Sequence, residues 1–484
     1  MIKVIISEDN FAYDVHSLVK AFFPAKEVKV LTDDSSDKEE VELIINIVYR
    51  DFGIDIELVD SEGNTVLCRS IDKADYNNRI DYKNALKQLI YSVLNEYTGT
   101  KLPWGTLTGI RPTKIAVSML ESQSNDEEIL AYYKDVYLTG DDKALMAIDI
   151  AHRETEILSD IHYDKGYSLY IGIPFCPTTC LYCSFTSFPR MLYEKKIKEY
   201  INCLKIEIDY VADNFKDKIL DTVYIGGGTP TTLTADELNE LIGYLKEKLD
   251  FDTVKEFTVE AGRADSISED KLITLKSFGV SRISVNPQTF KQETLDIIGR
   301  RHTVEQVIDA YRLARKVGFD NINMDLIVGL PGEQYEDVLN TMNKVKELGP
   351  DSVTVHSLAI KRASRLSSWI EEHGIDCITN SDDIMSMTYD ITKSMGLNPY
   401  YLYRQKNMSG NMENVGYAKP GKEGLYNILI MEEKQSIVAL GAGTVTKRVY
   451  GDGRIERCDN VKDVALYISK IEEMIDRKRQ LFKD

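Results

Sequence analysis

The sequence predicts an α/β chain built on a parallel sheet of six strands, preceded by a separate α/β unit and followed by a mixed α/β extension. Three observations carry this reading. From residue 167 to about 358, short β-branched runs alternate with helical stretches. Within that stretch, polar residues and glycines follow the strands rather than precede them. Residues 1–150 hold their own set of apolar runs, and 484 residues is too long for one ordinary core.

Residues 1–150 read as an N-terminal α/β accessory domain with its linker. Apolar runs at 2–6, 42–49 and 54–60 predict strands, and the spacing over 11–23 and 83–97 predicts helices. SSDKEE at 35–40 predicts a solvated hairpin tip or loop. KLPWGTLTGIRPTKIA (101–116) is either a plain connector or a segment that docks the first domain against the second. Residues 124–163 are helical and charged, leading into the next domain.

Residues 151–360 hold the sheet. Its strands are SLYIGIPF (168–175), DTVYIGGG (221–228), EFTVEAG (256–262), SRISVNPQ (281–288), NINMDLIVG (321–329) and DSVTVHSL (351–358). Helical stretches at 193–213, 235–248, 268–277, 303–317 and 335–347 separate them, which implies right-handed crossovers. In such a sheet or barrel, ligands bind at the edge just beyond the strands. Residues 361–484 read as an extension covering the substrate, with helices, a Gly-rich strand segment (GYAKPGKEGLYNILI) and a final charged amphipathic helix.

Composition limits the function. With 59 Lys and Arg against 78 Asp and Glu, the net charge is −19, which repels phosphate backbones and excludes nucleic acid as a partner. No apolar run reaches membrane-spanning length. MIKVIISEDN lacks the basic start and apolar stretch of a signal peptide, so a cytoplasmic location is expected. Seven cysteines, an odd number, fit reduced thiols rather than a disulfide framework. Cys68, Cys203, Cys377 and Cys458 stand singly and are expected to be buried small hydrophobes.

The other three form Cys176-Pro-Thr-Thr-Cys180-Leu-Tyr-Cys183, directly after a strand. Thiolates suit iron–sulfur clusters or zinc. A structural zinc site normally takes four protein ligands, and no later Cys or His pair supplies a fourth. Three thiolates around four irons leave one iron open to chelate S-adenosylmethionine (SAM). Tyr182 is a candidate to shield a cluster or pack an adenine, with ordinary packing beside the loop as the alternative. Gly226-Gly227-Gly228-Thr229-Pro230 ends the second strand and lets backbone amides approach a ligand. It lacks the Lys and the spacing of a phosphate-binding loop.

The cysteine loop resembles the radical SAM signature. IGIPFCPTTCLYCSF, YIGGGTPTTL, RISVNPQTF, IGRRHT and INMDLIVGLPGE resemble the oxygen-independent coproporphyrinogen III oxidase family. KLPWGTLTGIRPTK, VEAGRADSI, HSLAIKRAS and YYLYRQKNMSGNMENVGY are most similar to its HemZ-type coproporphyrinogen dehydrogenase branch. The resemblance implies a partial (β/α)6 radical SAM barrel, a 4Fe-4S cluster held by Cys176, Cys180 and Cys183, and SAM. It implies that Gly227, Gly228 and Thr229 meet the SAM amino group, Asp325 and Gln288 the ribose, and Glu260 with Arg300 the methionyl part. Tyr170 and Ala359 match further SAM-contacting positions. For a substrate with four propionates, Arg263, His356, Lys361, Arg362, Arg404 and Lys406 are the candidate cations and donors, and Tyr400, Tyr401 and Tyr403 the candidate walls.

The expected activity is oxidative decarboxylation of coproporphyrinogen III in heme biosynthesis, with a reductant such as flavodoxin or ferredoxin as partner. One departure bears on this. Some family members carry a fourth cysteine two residues past the third, where this chain has Phe185. Heme chaperone relatives also lack it, but their His-Asn-x-x-Tyr-Trp motif is absent here, Tyr426-Asn427 being a partial echo. Heme delivery, methyl transfer and tetrapyrrole opening therefore stay open as alternatives.

Overall fold

The structure is a computed structural model that describes residues 1–32, 40–109, 111–361, 364–405 and 408–483. Most of the predicted tip at 35–40, together with Arg362 and Lys406, lies outside the described residues. The chain forms two compact units, one of Met1–His152 with Leu402–Glu413, the other of Arg153–Tyr401 with Asn414–Asp484.

The first unit has a five-stranded sheet of β1 (Ile2–Ile6), β2 (Val28–Leu31), β3 (Leu43–Arg50), β4 (Gly53–Asp60) and β5 (Thr65–Ile71), in the order β2-β1-β3-β4-β5. Strand β1 runs parallel to β2 and β3, whereas β3, β4 and β5 form an antiparallel meander. Helices Ala12–Phe22 and Arg79–Thr98 bury Val15, Leu18, Leu86, Ile90 and Val93 in the core that holds the alternate residues of β1 and β3. The sequence pattern missed β2, which has four residues, and β5, whose side chains are mostly exposed and show no apolar alternation. Cys68 lies on β5 and is exposed, against the expectation of burial; Cys203 is buried, and Cys377 and Cys458 are half-buried.

The 101–116 segment receives the chain that returns at 402–413. Trp104 is buried, and its Nε1 donates to Glu413 Oε2 (2.7 Å), whose other oxygen takes Lys143 Nζ (2.8 Å). Arg404 lies over the Trp104 ring and donates to the carbonyls of Leu107 and Asn411.

The second unit is built on an eleven-stranded sheet. Its strands are β6 (Gly166–Ile173), β9 (Ile219–Gly227), β10 (Glu256–Glu260), β11 (Arg282–Ser284), β12 (Ile322–Val328), β13 (Ser352–Ser357), β14 (Asn398–Tyr403), β15 (Asn414–Ala418), β16 (Ser436–Leu440), β17 (Val445–Val449) and β18 (Ile455–Asp459). A separate two-stranded pair is formed by β7 (Phe175–Cys176) and β8 (Phe188–Pro189). The six predicted strands lie side by side and parallel, β6-β9-β10-β11-β12-β13, as the sequence alternation requires. The C-terminal region contributes to the same sheet. Strand β16 is parallel to β6, and β15 is antiparallel to β13. The Gly-rich segment read as a strand splits in two: β15 ends at Ala418, and Leu425–Glu432 is a helix. LYNILIME is apolar on most sides, which suits a buried helix, so it carries no amphipathic signal.

Register explains what this sheet is for. Residues on one face (Leu169, Ile171, Val223, Ile225, Val259, Ile283, Met324, Val353) are fully buried hydrophobes. Those on the other face are polar or glycine, layer by layer. Tyr170 pairs with Tyr224, Tyr224 with Thr258, and Thr258 with Arg282. One layer on, Gly172, Gly226, Glu260, Ser284, Asn323 and Ser352 align. The interior of a closed (β/α)8 barrel is packed mostly with branched hydrocarbon. Here it is lined with hydrogen-bonding groups.

A buried ion pair anchors the C-terminal helices. Glu207, on helix Ile197–Asn214, accepts from Lys478 Nζ (2.7 Å), Asn460 Nδ2 (2.9 Å), the Gly441 amide (2.7 Å) and Tyr467 Oη (2.5 Å). Glu207 and Lys478 are both 0% exposed.

Candidate functional site

The cysteine loop starts at the end of β7, and the β7–β8 pairing of Cys176 with Pro189 closes its two ends. Its tip is pinned to the neighbouring strand-end loop. Leu181 donates its amide to Ile298 O (2.9 Å), and Thr178 Oγ1 donates to Gly299 O (2.9 Å). Cys176 and Cys180 are buried, and Cys183 is half-exposed. Thr229 Oγ1 lies 3.4 Å from Cys176 Sγ, and Arg263 Nη1 lies 3.7 Å from Cys180 Sγ. Burial pushes the Cys176 thiol up to about 11, while the Thr229 hydrogen bond opposes this. A bound metal would reverse that by holding the thiolate. Among the described residues no three Cys, His, Asp or Glu side chains converge on a single-ion site. Ligands to separate irons of a cluster stand further apart than ligands to one ion.

The first lumen layers stand beside this loop. Gly227 has φ +106°, and a Cβ on Gly228 would come within 3.0 Å of Cys176 Sγ and 2.8 Å of Phe175 O. Only glycine leaves that space open. Tyr224 Oη donates to Glu260 Oε1 at 2.6 Å. The rings of Tyr170, Tyr224 and Tyr426 stack, with centroids 4.5–5.9 Å apart. Burial raises the Glu260 carboxyl to about 7, against the Tyr224 hydrogen bond that lowers it.

Gln288 and Asp325 meet through the backbone. Gln288 has φ +66°, and this non-glycine left-handed turn is held by bonds from the Gln288 amide to Asp325 O (3.0 Å) and from the Ile327 amide to Gln288 O (3.0 Å). Gln288 Oε1 is buried with no partner in the protein. Burial favours the neutral form of Asp325, but His356 and Asn323 outweigh it and hold the carboxyl below its usual range. His356 Nε2 is 3.8 Å from Asp325 Oδ1. Arg300 donates to Asn286 O (2.6 Å), and its charge is favoured by Tyr182 and Cys180 despite burial; its Nε has no partner. Ala359 is half-buried just past β13, and Lys361 Nζ sits 6.0 Å from the Phe185 ring centroid.

The substrate cations separate. Arg263 is 3% exposed, and its fork is committed to Asp265 (2.9 and 2.6 Å), Thr178 and Cys180. It is therefore a partner of the cysteine loop and is not presented to an incoming propionate. Arg404 belongs to the first unit, where burial lowers it to about 10 and two carbonyls take its donors. His356 and Lys361 remain on the barrel. Tyr400 and Tyr401 are buried, with Tyr400 beside Arg282.

Residues 170–345 match the Radical SAM superfamily. The chain is 40% identical over 401 residues to the oxygen-independent coproporphyrinogen-III oxidase-like protein HemZ of Bacillus subtilis, covering 82% of this chain and 80% of that one. The chain belongs to this HemZ family of radical SAM proteins. It is also 33% identical over 279 residues to the heme chaperone HemW of Lactococcus lactis, covering 58% of this chain and 69% of that one. Among solved structures it resembles coproporphyrinogen III oxidase (HemN) from Escherichia coli, with TM-score 0.52 over 67% of this chain and 73% of that one. At 22% identity, that likeness speaks for the fold.

A radical SAM oxidoreductase implies SAM and an iron–sulfur cluster, and the residues of this HemZ-family chain fit both. Three thiols sit on one loop, Gly228 keeps the space beside Cys176 open, and Gln288 Oε1 and Arg300 Nε are buried without partners. Sequence reasoning missed Tyr224 and Asn286, and it named Tyr426 only as part of a partial heme-motif echo. Tyr224 lies two residues before Gly226 and so on the same face, a signal that alternation alone carries. Tyr426 reaches the stack from a helix more than 160 residues after β10, and no local pattern marks it as a partner of Tyr170 and Tyr224.

Proposed function

We propose that this chain holds a 4Fe-4S cluster on Cys176, Cys180 and Cys183 and works in the cytoplasm on a tetrapyrrole. The reading rests on one observation: Gly228 and Thr229 after β9, and Arg263 after β10, stand directly against Cys176 and Cys180 of the cysteine loop. When bound, the cluster and SAM supply a 5′-deoxyadenosyl radical. Glu260 holds the SAM ammonium and Arg300 its carboxylate, as charge dictates. Asp325 and Gln288 take the ribose diol, the turn at Gly227 and Gly228 brings backbone to the amino group, and Tyr170 and Ala359 pack alongside.

The substrate is coproporphyrinogen III. A propionate β-carbon would give a hydrogen atom to the 5′-deoxyadenosyl radical, forming 5′-deoxyadenosine; passing one electron to an external one-electron acceptor and losing carbon dioxide would then leave a vinyl group. Two such rounds give protoporphyrinogen IX. His356 and Lys361 are the donors this barrel offers the propionates. This choice is supported by the name and by the 40% identity of the HemZ relative. Heme delivery is a second reading, favoured by the HemW likeness and by Phe185 in place of a fourth cysteine.

Anaerobic incubation of reconstituted protein with reductant, SAM and coproporphyrinogen III tests this. The expected products are 5′-deoxyadenosine, carbon dioxide and a doubly decarboxylated porphyrinogen. If 5′-deoxyadenosine forms while the porphyrinogen mass is unchanged, the decarboxylase reading fails. Stable heme binding with little SAM turnover favours delivery.

The Glu260 role has its own pH signature. Because burial raises this carboxyl to about 7, folding stability from its protonated form falls as pH climbs from the ordinary glutamate range through 7. Affinity for a cationic ligand moves the other way. SAM should bind about tenfold more tightly at pH 8 than at pH 6, and Glu260→Gln should flatten that dependence. Calorimetric titration at the two pH values measures it, and equal slopes in both proteins would remove Glu260 from the ammonium contact.

A further inference from the structure

We infer that the segment leaving the cysteine loop is the docking surface for a small acidic electron-carrier protein, a deduction that rests on the iron–sulfur reading above. Among the described residues, the three most exposed large apolar side chains are Met191 (78%), Phe185 (73%) and Leu192 (72%). All three lie within nine residues of Cys183. Cys183 is also the most exposed of the three thiols, since Cys176 and Cys180 are buried. Electron tunnelling decays steeply with distance, so the face nearest Cys183 is where a carrier delivers charge most directly. Isolated exposed hydrophobes are ordinary, but three on one segment beside a redox centre mark an interaction surface.

Charge identifies the occupant. The chain carries −19 overall, which repels acidic proteins. Around this segment the sign reverses. Lys195, Lys196 and Lys198 are exposed, against Glu194 and Glu199. The exposed Arg365 donates to Thr179 O at 2.5 Å in the cysteine loop. Cations around an apolar centre on an acidic molecule steer a negatively charged partner towards this face. A patch of three side chains suits the small interfaces of transient redox encounters.

The test uses a flavodoxin as the acidic carrier and the whole chain in two variants, Met191→Ser/Leu192→Ser and Lys195→Glu/Lys196→Glu/Lys198→Glu. Binding is followed by flavin fluorescence on oxidised protein without the cluster, so this arm does not depend on the cofactor reading. Wild type should bind with an affinity that falls as salt rises, and each variant about tenfold more weakly or worse. On reconstituted protein, cluster bleaching by flavodoxin hydroquinone should slow about tenfold in both variants, while bleaching by dithionite stays unchanged. Variants that bind the carrier like wild type overturn the proposal. So does equal slowing with dithionite, which would mean damage to the cluster. Sedimentation showing a wild-type dimer lost in the variants would assign the face to a second copy, and lost coproporphyrin binding would assign it to substrate; either result overturns it. Wild-type protein with no reducible absorbance would contradict the iron–sulfur reading, while the binding arm would still decide this surface.

Discussion

Cys180→Ala is expected to fold, to lose the broad visible absorbance of the reconstituted cluster, and to cleave SAM more than about a hundredfold more slowly than wild type. That loss should exceed the ten- to hundredfold typical when only an outer-sphere partner of a metal is removed. Cys180 is buried, and Arg263, fixed by Asp265, points at its sulfur from 3.7 Å. Alanine leaves that cation facing no thiolate and leaves the loop two ligands. The loop's backbone should hold, because Leu181 and Thr178 are anchored to Ile298 and Gly299 independently of the sulfur. Circular dichroism should therefore match wild type while the visible spectrum does not. A variant that keeps the absorbance would sink the ligand assignment.

Lys478→Met should be the most destabilising surface-distant substitution in the second unit, costing about 3–5 kcal/mol. It leaves the Glu207 carboxylate, fully buried, without its cation. Asn460, Tyr467 and the Gly441 amide still donate to it, but none carries a charge. Glu207→Gln in the same chain should restore part of the loss, since an apolar or neutral replacement of both partners avoids the stranded charge. Denaturant unfolding of the two variants and their combination measures this. Equal midpoints for Lys478→Met and wild type would show that the pair contributes nothing net.

Much of the barrel was legible because alternation is local. In SLYIGI and DTVYIGG the odd and even positions already separate a hydrophobic face from a polar one, and the register puts the polar faces together. The cysteine spacing was equally legible. What the sequence hid is non-local. Nothing in SIVAL marks β16 as a partner of β6 rather than part of a cover, since that choice depends on Tyr170 meeting Ala439 across most of the chain. Two of the candidate substrate cations have their donors committed elsewhere, for a related reason. A lone arginine in a sequence looks available, but Arg404 is consumed by a loop carbonyl almost 300 residues earlier. Arg263 was more readable, because Asp265 is two residues away and holds it in place.

The pairing of β6 with β16 also orders events during synthesis. The strand that feeds the cysteine loop acquires β9 soon after it emerges, but its other edge stays open until residues 436–440 arrive. Contacts closed over such a separation form late and slowly. Until then β6 is an unprotected edge beside reactive thiols, exposed to mispairing and oxidation on the ribosome. Iron–sulfur loading is therefore expected to follow completion of the chain, and protein stalled before β16 should accumulate as aggregate rather than as a cluster-bearing intermediate.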